Sequence, residues 1–175
     1  MNKRQLFVVT GLVLVATLTR LIPHPYNFTP ITAIALFGGA HFADKRLAFL
    51  IPLLAMFASD LLIGFHSLMP LTYLCFSAIV LIGFLLRGRQ SFVRIAGGTL
   101  SGSLLFFVVT NLGVWLFDGI YPMTAEGLVA CYVAAIPFFQ NTVLGDAAYA
   151  LFLFGGFAVL ARSLPALREP VFASR

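Results

Sequence analysis

The chain has 175 residues, of which 61% are hydrophobic and only 10% charged, with a net charge of +5 and a mean hydropathy of +1.01. A soluble domain carries about 25% charged residues, so this composition excludes one and indicates a single integral membrane bundle with no soluble catalytic domain. The basic residues fall in short clusters between apolar runs, the pattern of topology determinants; no phosphate-tracking stripe interleaved with aromatics is present, and nucleic-acid binding is excluded.

The first apolar run follows Lys3 and Arg4 and lacks a small-x-small cleavage site before Arg20, Pro23 and Pro25, so it reads as a retained span rather than a secretory signal. Six spans are expected, at 5–22, 31–43, 47–65, 71–86, 95–117 and 142–161. The second has only thirteen residues and is rich in Gly and Ala, which suits a helix surrounded by protein or extended by part of the preceding loop. Between the last two, 118–141 reads as a long connection whose apolar part, 127–139, is broken by Pro137 and suits a re-entrant or surface-lying segment. Counting charges supports this arrangement. With both termini cytoplasmic, Lys3, Arg4, Lys45, Arg46, Arg87, Arg89, Arg94, Arg162, Arg168 and Arg175 lie inside and only Arg20 lies outside.

On that topology the polar residues of the spans gather in the outer half. They are Asp60 late in the third span, Tyr73 and Cys75 early in the fourth, Asn111 and Asp118 late in the fifth, and Gln140, Asn141 and Asp146 around the start of the sixth, with His24, Tyr26, Asn27 and Phe28 in the first outer loop. Ionisable groups in a membrane usually face a bundle interior or water, so an outward-facing cavity is expected. Asp60 requires compensation at that depth. It is either a substrate or proton-coupling group, or a structural partner of Asn27, Thr29 or a helix end, and the same choice applies to Asp146. Asn27 and Thr29 read as caps of the helix that Pro30 opens. Ala35, Gly39 and Ala43, and again Gly98 and Gly102, repeat every fourth residue, a spacing that lets helices approach closely.

His24, His41 and His66 have no zinc-ligand spacing; His24 and His66 belong to the cavity mouth. Cys75 is either a small buried hydrophobe or a soft ligand of the kind cobalt or copper accepts, and Cys131 has no supporting ligands around it. No G-x-S-x-G, P-loop or other nucleotide motif occurs. A transporter without an ATP site is passive, ion-coupled or the substrate-binding part of a larger machine. A membrane enzyme using Asp60 or Asp146 as acid or base, and a structural membrane subunit, are the readings from other classes.

The run PHPYNFTPITAIALFGGAHFADKRLAFLIPLLAMFASDLLIGFH and the later NLGVWLFDGIYPMTAEGLVACYVAAIPFFQNTVLGD resemble a bacterial family of transport proteins related to the S-components of energy-coupling-factor (ECF) transporters. The motifs that carry this are N-F-T-P-x-x-A-x-A-L-F-G-G, S-D-L-x-x-G around Asp60, and P-F-F-x-N-T-x-x-G-D ending at Asp146. The resemblance implies a six-helix bundle in the bacterial inner membrane that binds a vitamin on its outer side and topples to deliver it. Within that group, solitary cobalamin transporters of the BtuM type are similar in size and carry a cysteine that ligates the corrinoid cobalt and supports removal of its cyanide. Carried over to Cys75, this implies a lower axial cobalt ligand, with Tyr26, Asn27, Phe28, Asp60, Tyr73, Asn111 and Asn141 lining the cavity. The first helix lacks an A-x-x-x-A pair, which favours a solitary protein over one docked on a shared ECF energising module.

Overall fold

The structure, a computed structural model, describes residues 1–168; Arg175, counted above among the basic residues, lies outside them. All regular structure among the described residues is helical. Helix starts follow capping chemistry. In α1 (Lys3–Leu18) the Asn2 side chain accepts from the Gln5 backbone at 2.8 Å while the Gln5 side chain accepts from the Asn2 backbone at 3.0 Å, a reciprocal capping box. Asp44, Ser91 and Thr124 cap α3 (Lys45–Ile63), α5 (Phe92–Phe117) and α6 (Ala125–Ala150) in the same way from one side. Pro70 sits in the first turn of α4 (Met69–Phe84), where its missing N–H leaves no bond unmade.

Four helical segments, Lys3–Leu21, Lys45–Ile63, Phe92–Phe117 and Ala125–Ser163, are long and apolar enough to cross a membrane, and α2 (Ile31–His41) and α4 are shorter apolar helices. Phe7, Leu62, Leu85 and Phe92 stand out from the bundle with little protein around them. An exterior built of such side chains suits lipid rather than water.

The segment 118–141 is not the surface-lying connection expected from the sequence. Only 118–124 connects. From Ala125 the chain is helical without a break to Ser163, through α6, a five-residue π turn at Leu151–Gly155 and α7 (Gly156–Ser163). Pro137 does not end α6. The apolar part of 127–139 is instead the first half of a rod paired antiparallel with α5: Asn111 meets Cys131, Phe107 meets Phe139, and Ser103 meets Asp146. The π turn adds one residue to the helical repeat, and Phe154 within it and Phe157 just beyond it pack around His41.

The centre of the bundle is α2. All eleven of its residues are buried, as its short Gly/Ala-rich sequence leads one to expect. It runs the same way as α4, with Thr32 and Ile79 both packed on Gly102, Gly39 against Gly83, and the Arg87 side chain donating to the Phe42 carbonyl at 2.7 Å. At the Gly39–Gly83 crossing the two backbones touch, and a Cβ on either glycine would collide with the other helix's backbone. Gly98 and Gly102 of α5 face Leu36 and Thr32 of α2, so these glycines and Gly39 are helix contacts inside the chain, while Ala43, expected on the α2 stripe, lies beyond the end of that helix.

At about 1.5 Å per residue α2 is about 16 Å long, half of a ~30 Å hydrocarbon core. Its start lies level with Gly102, near the middle of α5, and Asp146, near the middle of the 125–163 rod, so α2 fills one half of the depth and 22–30 fills the other. That loop is laid along α6. The Asn141 side chain donates to the Tyr26 carbonyl at 3.0 Å, Tyr26 packs edge-on to Phe138, and Phe28 rests on Gly145 and beside Tyr149.

Candidate functional site

The polar groups expected to share one cavity fall into three places. The first is an ion-pair cluster. Arg20, just beyond α1, reaches Asp60 of α3 at 2.7 Å, and the Tyr73 hydroxyl of α4 donates to the other Asp60 oxygen at 2.7 Å. The same guanidinium donates to the Ser59 hydroxyl and lies 3.4 Å from the Met56 carbonyl. Asp60 and Arg20 side chains are both nearly buried, at 6% and 10% exposed. The carboxylate is thus compensated by a cation and a hydroxyl, not by Asn27, Thr29 or a helix end as the sequence suggested. The cluster ties together three helix ends and has no oxygen left open toward a cavity.

The second place is the outer part of the α5–α6 pair. Asn111 donates back to the Phe107 carbonyl at 2.8 Å, and its own carbonyl accepts from the Cys131 thiol at 3.4 Å. Both Cys75 and Cys131 are free thiols. Cys75 is 1% exposed on the face of α4 that packs into the bundle, and it does not line the cavity around Asp146. His24 bonds only its neighbour's Pro25 carbonyl, and His66 lies in the exposed loop before α4.

The third place is built around Asp146, at the level where α2 begins. Gly145 lets Phe28 and Thr29 lie directly against α6, which brings the loop backbone down to the carboxylate. Asp146 is 1% exposed; the Ser103 hydroxyl donates to it at 2.6 Å, and its further partners are the Thr32 hydroxyl and backbone amide. No Asn27 or Thr29 side chain caps α2; Pro30 occupies the capping position, and Asp146 reaches across from α6 to the free amides of the first turn. A carboxylate at a helix N-terminus is favoured by the aligned peptide dipoles. Asn27, Thr29, Ile31, Thr32, Phe106 and Thr142 join Asp146 around a cavity of about 80 Å³. Asn27 adopts a left-handed backbone conformation with φ of 63°, which asparagine tolerates better than most residues.

Of the residues expected to line the site, Asn27 borders this cavity, Tyr26, Phe28 and Asn141 belong to the loop and clamp above it, and Asp60, Tyr73, Asn111 and Cys75 do not reach it. Thr32, Ser103 and Thr142 were missed. Hydroxyl residues in an apolar helix look like packing residues until a partner is known, and only the alignment of three separate helices places these around one carboxylate. Arg20 was read as a lone outer charge. The signal that it pairs with Asp60 was present, since it is the only cation expected on that side of the membrane.

Among the described residues Asp146 is held by neutral donors, whereas Asp60 has a guanidinium. Below it the passage toward the basic end is closed by Phe37, His41, Phe154 and Phe157, whose rings contact one another. The arrangement is a buried aspartate ringed by hydroxyls under a loop. No curated protein and no solved structure matches the chain. Residues 1–167 do match one family throughout, and the chain belongs to that family of unknown function, DUF6580.

Proposed function

We propose that this protein is a solitary substrate-binding transporter of the bacterial inner membrane, with six crossings, both termini cytoplasmic, and a vitamin-sized solute admitted from the outer side. The observation that carries the reading is Asp146: a fully buried carboxyl group that pairs with no cation among the described residues, at mid-depth, facing a polar cavity under a loop. Intramembrane ionisable groups of this kind mark solute pathways, and a half-length helix ending at the midplane is a recurrent device of transporter sites. The placement of basic residues supports the orientation. Lys45, Arg87, Arg94 and Arg162 lie at the end of the bundle where α2 and α4 finish, and Arg20 lies at the other.

An 80 Å³ cavity holds only a few waters, each taking about 30 Å³, so this is a closed state. Admission of a solute requires 22–30 to lift from α6, breaking the Asn141–Tyr26 bond and the Tyr26–Phe138 contact. Cobalamin, the solute that the resemblance implies, requires more: α4 must also turn or shift to bring the buried Cys75 thiol to the cobalt.

The test uses purified protein in detergent and in proteoliposomes. Cyanocobalamin is added to wild type and to Cys75→Ala, and its absorbance spectrum and its uptake are followed. A spectral change in wild type alone, with uptake lost in Asp146→Leu and in Cys75→Ala, is the expected result for a corrinoid transporter. If the spectrum is unchanged, small molecules extracted from purified wild type and from Asp146→Leu are compared by mass spectrometry. A solute retained by wild type alone keeps the transporter reading with another vitamin, whereas its absence from both removes that reading.

A further inference from the structure

A large cavity among the described residues lies on the outside of the bundle. It is a groove of about 840 Å³ along the α5–α6 pair at the basic end, distinct from the Asp146 cavity. Its floor is made of small residues, Ala96, Ala147, Ala150, Gly155 and Ala158, and the π turn forms part of one wall. On α5 it extends from Phe92 to Ser103. At about 1.5 Å per residue this is about 16 Å, the depth of one leaflet of a ~30 Å hydrocarbon core. Arg162 borders the groove at its basic end.

Among the described residues the charges around that mouth have one sign. Arg162 is exposed, and among the described residues the sole ion pair is Arg20–Asp60, at the other end of the bundle. Arg168 is a second cation nearby; its guanidinium donates to the Ala161 and Arg162 carbonyls and so closes the end of α7. Arg94 and Arg89 lie on the same end and are exposed. An apolar slot one leaflet deep with a cation at its surface end matches one molecule of the membrane itself. A second transmembrane helix could pack on the small residues of the slot, but it would bring no anion to Arg162, whereas an anionic phospholipid brings both an acyl chain and a phosphate.

We propose that this groove is a binding site for a phospholipid with an anionic headgroup, its acyl chain lying between α5 and α6 and its phosphate at Arg162. The chain end would then reach Ser103, whose hydroxyl is bonded to Asp146 at 2.6 Å, so that lipid occupancy bears on the carboxylate from the side opposite its cavity.

The experiment is native mass spectrometry of the protein exchanged into mixed micelles containing equal amounts of phosphatidylglycerol and phosphatidylcholine of matched chains. Wild type is expected to retain phosphatidylglycerol preferentially. Arg162→Gln should lower that preference about fivefold, the effect of one basic residue at a membrane surface, while phosphatidylcholine retention stays as it was. Arg89→Gln, on the same end but outside the groove, should change nothing. Ala147→Phe, which fills the groove from an exposed position, should lose both lipids. Equal retention of the two lipids by wild type overturns the proposal. So does an equal fall in Arg89→Gln and Arg162→Gln, which would show a diffuse basic field, and so does unchanged retention in Ala147→Phe.

Discussion

Two aspartates buried to nearly the same degree do different work because of what faces them. Asp60 has Arg20, and removing one member of a buried pair strands the other charge at a cost of about 3–5 kcal/mol. Asp60→Ala is therefore expected to lower the unfolding midpoint in detergent sharply, and Arg20→Leu combined with Asp60→Leu should recover most of the loss. Asp146→Leu instead orphans the Thr32 donors, each worth about 1–3 kcal/mol when buried unpaired, while the Ser103 hydroxyl can turn to the Thr99 carbonyl 3.0 Å away. Asp146→Asn keeps an acceptor there and should be distinctly more stable than Asp146→Leu in the same melt. The sequence showed both aspartates and their depth. It did not show which was structural, because Arg20 is forty residues from Asp60 and Ser103 forty-three from Asp146, and only packing brings either partner in.

At the scale of helices, glycine tells the same story through space rather than charge. Gly83 sits against the α2 backbone and Gly97 faces open surroundings. Gly83→Ala is expected to destabilise by about 1–3 kcal/mol through overpacking, whereas Gly97→Ala should stabilise by about 0.5–1 kcal/mol through helix propensity alone. Thermal melts of the two variants, of opposite sign, check both. The four-residue spacing of Gly39 with its neighbours was legible as a close-packing face, and the short second helix as one enclosed by protein. The first half of the 125–163 rod was not. Pro137 and a chain of only moderate apolar length suggested a break, but α5 supplies a partner along the whole stretch, and the Tyr132 hydroxyl donates to the Val108 carbonyl at 2.6 Å where the helix passes it. A proline tolerated by packing cannot be told in advance from one that ends a helix.

For the molecule as a whole, the apolar exterior and the segregation of basic residues were legible from composition, since neither depends on pairing. Reporter fusions check the orientation proposed from them: alkaline phosphatase joined after Ile22 or Ser67 should be active, and after Asp44 or Arg89 inactive, with a fluorescent-protein fusion giving the reverse. The half-length α2 carries a further consequence, for how the protein is made. Eleven residues are too few to hold a stable crossing by themselves, and four of the helices that enclose α2, namely α3, α4, α5 and α6, are synthesised after it. During biogenesis the segment between α1 and α3 therefore has to wait at the membrane surface, or be threaded unsupported, until its neighbours arrive. A chain ended at Ser67 should leave 31–41 open to water-soluble thiol reagents at introduced cysteines, while the complete chain protects the same positions. The most deeply enclosed helix of the finished protein would then be among the last to take its place.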